Sequence, residues 1–296
     1  MKEGKASRTA EGMAVFKTAE SMKPEKNRIY YDPLAKHFLG PFYGAVAKNR
    51  LLTRLAVWYY ERIWPGGYGY IITRTRYVDE YLQTNIDEGI EQLVILGAGY
   101  DSRPYSFLKA EDKVRVFEVD HPATQKRKLE KLRNIYSSLP DYVTFVPVDF
   151  NKVKFGDRLI ESGYGKGLKT LFIWEGVTMY LTSDAVDETF SFITTCSGDG
   201  SSIIFNYMDK SLVDGTNKQK DAQKLRKTLF RMGEPPIFGI EERKIEAFLD
   251  SRGFNQVVNV TGDYLRDTYC KNRNMTVSNL VPIVRARKKL GSNLEL

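Results

Sequence analysis

The sequence predicts an α/β protein built on a doubly wound, mostly parallel sheet. Three observations carry that prediction. From residue 93 onward, short β-rich apolar runs alternate with helical segments. The runs lack polar alternation, as strands covered on both faces do. The first run ends in Gly97-Ala98-Gly99, at the carboxyl edge where open α/β sheets bind ligands.

The elements follow in order. Ala10 to Ser21 is a candidate helix. Asp32 and Pro33 start another, as N-cap and first helical residue. Residues 43–63 carry Val46, Leu51, Leu52, Leu55, Trp58 and Tyr59 at helical spacing. Pro65-Gly66-Gly67 interrupts the pattern, and Ile71 to Gln83 resumes it. Strands are expected at 93–96, 114–119, 143–148, 170–174 and 202–205, with helices at 122–137 and 183–195. Late strands at 255–260 and 281–286 can form an antiparallel edge, giving seven strands in all. The polar, lysine-rich segment 208–238 breaks the alternation and reads as an insertion after the fifth strand. Residues 1–90 then form an N-terminal helical cap on a core of residues 91–296.

Composition narrows the classes. With 296 residues, 42% hydrophobic and 28% charged, the chain fits one large domain with appended segments. No apolar run reaches membrane-spanning length, and Met1-Lys2-Glu3-Gly4-Lys5 lacks a signal-peptide core behind it. Two cysteines make neither a disulfide framework nor a zinc site, which points to a reducing, cytoplasmic setting. Two histidines, His37 and His121, argue against a multi-histidine metal site. The net charge of +8 is spread over Lys126-Arg127-Lys128, residues 218–231 and residues 285–289, read as solvated helix faces and a basic tail. Neither a nucleic-acid nor a membrane partner is expected.

Four segments place distinctive residues at strand ends. Gly97 and Gly99 let backbone approach a ligand. Dinucleotide and S-adenosylmethionine sites both use a strand followed by Gly-x-Gly, but the third dinucleotide glycine is missing where Ser102 stands. Asp120 ends the second run, 23 positions after Gly97, and suits ribose hydroxyls. Glu118 lies inside the run, and a helix N-cap role before Pro122 competes for Asp120. Asp149-Phe150 ends the third run, a carboxylate for an adenine amino group beside a ring for its face. Glu175-Gly176 ends the fourth.

In this order the segments resemble the leucine carboxyl methyltransferase family, in its microbial branch. The resemblance spans nearly the whole chain, through Lys17-Thr18-Ala19-Glu20-Ser21, Tyr31-Asp32-Pro33, Arg74-Thr75-Arg76-Tyr77, Asp101-Ser102-Arg103, Glu118-Val119-Asp120 and Glu175-Gly176-Val177-Thr178-Met179-Tyr180-Leu181. Gly233-Glu234-Pro235, Phe238-Gly239-Ile240 and Arg252-Gly253-Phe254 extend it. It implies a Rossmann-like class I methyltransferase using S-adenosyl-L-methionine. Arg74 would pair with the methionine carboxylate, with Lys17 nearby and Arg76 as the alternative. Glu175 would hold the methionine amino group. The acceptor would be a carboxylate or hydroxyl of a small molecule, or a protein C-terminus. A nicotinamide-dependent oxidoreductase is the competing enzyme class. No catalytic base is assigned, though Tyr180, Glu175 and His121 lie near in motif terms. The aromatics Phe42, Tyr43, Trp58, Tyr59, Tyr60 and Trp64 are expected to pack over the site.

Overall fold

The computed structural model describes residues 8–150 and 152–291. Helices α1 (Arg8–Ser21), α2 (Pro41–Ala47), α3 (Arg50–Ile63) and α4 (Gly67–Asp87) precede the first strand. The single helix expected at 43–63 is two. Asn49 divides them, because its side chain accepts from Leu51 N and Leu52 N and so starts α3 afresh. The helix expected from Asp32 and Pro33 is a single 3₁₀ turn at Ala35–Phe38 with Leu34 as its N-cap; Asp32 lies before it and accepts from Leu34 N and Ala35 N.

The sheet then forms from β1 (Gln92–Leu96), β2 (Arg115–Asp120), β3 (Val143–Pro147), β4 (Thr170–Trp174), β5 (Ser202–Asn206), β6 (Phe254–Val260) and β7 (Ile283–Lys288). Among the described residues it has seven strands in the order β3-β2-β1-β4-β5-β7-β6. The first five are mutually parallel; β7 inserts antiparallel between β5 and β6. Every residue of β1, β4 and β5 is buried, which is why those segments read as unbroken apolar runs.

Connecting helices α5 (Arg103–Ser106), α6 (Pro122–Arg133), α7 (Phe155–Glu161) and α8 (Ser183–Cys196) lie between the parallel strands. Helices α9 (Lys210–Asp214) and α10 (Lys220–Met232) occupy the insertion after β5, and α10 packs on α3. Past α10 the chain crosses the turn after β4, where Ile237 N and Phe238 N donate to Met179 O. Helices α11 (Ile245–Asp250) and α12 (Gly262–Tyr269) flank β6.

Hydrophobic clusters lie on the two faces of the sheet. Ile95, Leu171 and Ile204 enter one beneath α4, and Val94, Phe172 and Trp174 enter the other beneath α8. This is the two-sided covering of a doubly wound sheet. The basic-tail expectation fails, because residues 285–288 belong to β7 and Lys288 is buried, donating to Ser197 O at 2.6 Å. Lys128 is likewise not on a solvated face; it is buried 2.7 Å from Glu118.

Candidate functional site

The site forms where β1 to β4 end. The chain leaves β1 at Gly97 with φ of +68°, and Gly99 also has positive φ, at +46°. A β-carbon at Gly97 would lie 2.2 Å from Val177 Cγ2, in the turn after β4. Only glycine permits both this conformation and this contact. Gly97 N and Ala98 N donate to Val119 O, which pins the loop to the end of β2.

Asp120 completes that arrangement. Its carboxylate accepts from Gly99 N and, at 2.6 Å, from His121 N. Burial raises its pKa, and these two bonds offset only part of that rise. The helix-capping role belongs to His121, whose Nδ1 accepts from Ala123 N. Glu118 is instead committed to a buried pair with Lys128. Successive strand residues face opposite sides, so Glu118 and Asp120 share one side of β2, but Asp120 stands past the last covered turn.

Glu175 is the meeting point of two guanidiniums. Arg103 Nη1 donates to its Oε2 at 2.7 Å, and Arg74 Nε stands 2.8 Å from its Oε1. The Arg74 contact lacks hydrogen-bond alignment, so Arg74 Nε and Glu175 Oε1 are buried without a hydrogen-bond partner. Arg76 turns outward and pairs with Glu80 at 2.7 Å. Of the two arginines left open by sequence, Arg74 is the one at the strand ends.

Arg103 is fully buried and binds three carboxylates. Its Nε donates to Asp79 at 2.6 Å, and its Nη1 donates to Asp101 at 2.6 Å as well as to Glu175. Burial opposes ionisation of Glu175, but Arg103 and Arg74 outweigh it and hold its carboxyl below the usual range. The same contest at Asp101 is won by Arg103 and Lys17. Asp79 has fewer cations facing it, and burial pushes it up to about 6.

A cavity of about 100 Å³ opens among Lys17, Arg74, Gly97, Gly99, Asp101 and Glu175, with Met13 and Ala14 of α1 on its other wall. Lys17 reaches it from α1, its ammonium 5.7 Å from the Tyr30 ring. Five predicted residues therefore meet at one cavity. Asp120, Asp149 and Phe150 do not line it and stand at the neighbouring strand ends. Asp149 lies 3.8 Å from His121 Nε2, and Phe150 packs on Phe155 at 5.8 Å between ring centroids.

Sequence reasoning missed three participants. Arg103 stands in the Asp101-Ser102-Arg103 segment with no local sign of its long-range partners Asp79 and Glu175. Asp79 sits mid-helix in α4 with no local signal. Asn206 ends β5, where its Oδ1 accepts from Gly176 N at 2.6 Å and fixes the turn carrying Glu175. The expected aromatic cover is not among the residues lining the cavity: Tyr60, Trp64 and Tyr43 pack against hydrophobic clusters, whereas Phe42, Trp58 and Tyr59 face solvent.

Comparison with known proteins gives the family and the fold. The leucine carboxyl methyltransferase family profile matches residues 10–194. A Bacillus subtilis (strain 168) protein, YktD, provisionally named an S-adenosyl-L-methionine-dependent methyltransferase, is 32% identical over 74% of this chain and 72% of its own. A Mycobacterium avium (strain 104) protein with the same provisional description is 32% identical over 76% of this chain and 70% of its own. Two crystal structures share the fold, each with a TM-score of 0.60 and 14% identity. One is a provisionally named methyltransferase from Thermobifida fusca, matched over 97% of both chains. The other is a protein of the duf574 family from Streptomyces avermitilis, matched over 96% of this chain and 98% of its own.

Proposed function

Since the chain belongs to the leucine carboxyl methyltransferase family and is an S-adenosylmethionine-dependent methyltransferase, we propose that the ends of β1 to β4 hold the cofactor and direct its methyl group to an oxygen of a small acceptor. The observation that carries the first part is the Arg74 Nε–Glu175 Oε1 ion pair beside the Gly97 loop, whose two atoms face each other at 2.8 Å without a hydrogen bond to either. A zwitterionic amino-acid end needs one cation and one anion, and these two atoms supply them. Lys17 adds a second cation for the carboxylate. Asp120 offers its acceptor oxygens to ribose hydroxyls, and Asp149 with Phe150 serves the adenine. When bound, S-adenosylmethionine supplies an electrophilic methyl group on a sulfonium.

The residues present favour an acceptor that is already anionic. Among the described residues, no histidine or cysteine lines the cavity. Its two carboxylates, Asp101 and Glu175, are held ionised by Arg103 and are engaged with it. A carboxylate acceptor needs no proton removed, so positioning and exclusion of water suffice. The helices before β1 act in this reading as a cap, since α1 closes one wall of the cavity with Met13, Ala14 and Lys17.

Two measurements test the proposal. Calorimetric titration should show S-adenosylmethionine binding that is lost in Arg74→Ala and in Glu175→Gln, with no binding of NAD. Unaltered affinity in both variants removes these residues from the site. Transfer of a labelled methyl group to a panel of small carboxylic acids and alcohols should give a product that releases methanol in mild base. A base-stable product identifies a hydroxyl acceptor instead.

A further inference from the structure

Helix α3 presents an apolar stripe that, among the described residues, nothing covers. Leu51, Leu52, Leu55, Trp58 and Tyr59 fall on one side of the helix, opposite the buried Thr53. With Phe42 of α2 they are exposed by 44% at Leu52 up to 74% at Phe42. Contiguous exposure of this kind marks an interaction surface. The helix is held firmly from the other side by α1, α2, α4 and α10.

The stripe is bordered by positive charge. Arg62 lies over the Trp58 ring at 4.4 Å. Arg50 and Arg54 stand on the next rows of the helix, and both line a cleft shared with Lys23 and Pro24. Arg54, Lys23 and Pro24 also line a second cleft that contains Lys26, Lys271 and Arg273. Lys23 is paired with Glu20. Arg50 and Arg273 donate only to backbone carbonyls, of Met22 and Asn27. Among the described residues, no carboxylate pairs with Arg50, Arg54, Lys26, Lys271 or Arg273.

We propose that this face docks the enzyme on an anionic lipid surface, with α3 lying in the interface. Leucine and aromatic side chains on one face of a helix, with basic residues along its border, are the chemistry of an interfacial helix. Its 14 residues span about 21 Å, short of a hydrocarbon core of about 30 Å, so it lies on a bilayer and does not cross one. A second copy of the chain fits this face poorly. A two-fold contact would set Arg50, Arg54 and Arg62 of both copies together. The one acidic residue of α3, Glu61, is turned inward to accept from Gly66 N and Tyr68 N. The proposal replaces the expectation of no membrane partner and is independent of the acceptor's identity.

The test is co-sedimentation of the full chain with vesicles of phosphatidylcholine alone and of an equal mixture with phosphatidylglycerol. The expected result is binding to the anionic vesicles only, weakened by salt. Arg50→Gln with Arg54→Gln should lower the partition coefficient roughly fivefold per arginine removed. Leu55→Ala with Trp58→Ala should lower it at least about tenfold. Tryptophan emission should shift to the blue on vesicle addition, and Trp58→Phe should abolish the shift. These side chains are exposed, so the melting temperatures of all variants should match the parent, which separates lost docking from lost folding. Absence of binding at low ionic strength overturns the proposal, as does equal binding to neutral vesicles. A dimer in sedimentation velocity that Leu55→Glu dissociates, without vesicle binding, assigns the face to a second copy and also overturns it.

Discussion

Replacing Arg103 by methionine removes the cation that is hydrogen-bonded to three largely buried carboxylates, while keeping a side chain of similar length. In the parent, Arg103 holds Asp79, Asp101 and Glu175 at 2.6, 2.6 and 2.7 Å. Breaking a single buried ion pair from one side costs about 3–5 kcal/mol. Three pairs lose their cation here, but Arg74 and Lys17 still face Glu175 and Asp101. A loss of about 4–6 kcal/mol is therefore expected, a large part of a typical total of about 5–15 kcal/mol. The sign of the pH dependence is the sharper criterion. In the parent, Asp101 and Glu175 have folded pKa values below the ordinary range. Their ionised forms contribute stability that is lost as the pH falls through those values. Without Arg103, burial dominates and raises both carboxyls above their unfolded values. Each then contributes stability at low pH that disappears as the pH rises through its folded pKa. Urea unfolding at about pH 5 and about pH 8 should show the larger deficit at the higher pH, with unchanged m-values. A deficit below about 1 kcal/mol, or one equal at both pH values, refutes the reasoning.

Three further outcomes follow from the same contacts. Gly97→Ala combines positive φ with a 2.2 Å approach to Val177 Cγ2. It should cost about 1–3 kcal/mol in thermal unfolding and abolish cofactor binding, with Val177→Ala recovering part of the stability. Lys128→Met should destabilise by about 3–5 kcal/mol and the double replacement with Glu118→Leu by much less, because a lone buried carboxylate costs more than an apolar pair. Glu118 is pushed by burial up to about 7 even with Lys128 beside it, and higher without it, so the Lys128→Met deficit should shrink as the pH falls toward about 7. Asp120→Asn leaves one acceptor oxygen for the N–H groups of Gly99 and His121. Calorimetry should report S-adenosylmethionine affinity reduced at least about tenfold, with thermal stability little changed.

The sequence by itself determined the alternation of strands and helices and the residues at each strand end. Those signals are local. An apolar run, a glycine and a terminal carboxylate sit within a few positions of one another, so Gly97, Asp120, Asp149 and Glu175 were legible without a partner in view. It also placed α1 and α4 as helices, and hence Lys17 and Arg74 ahead of the sheet. The tertiary structure alone decided between candidates of equal local merit. Arg74 and Arg76 differ by half a helical turn, and only packing turns one toward Glu175 and the other toward Glu80. Glu118 and Asp120 are separated by which of them the cover of Lys128 reaches. Arg103 joins groups 24 and 72 positions away, a long-range pairing that no periodicity encodes. The same holds for β7, which enters the sheet between β5 and β6, and for the α3 stripe. Its helical pattern is plain in the sequence, and only the folded chain leaves it turned to solvent.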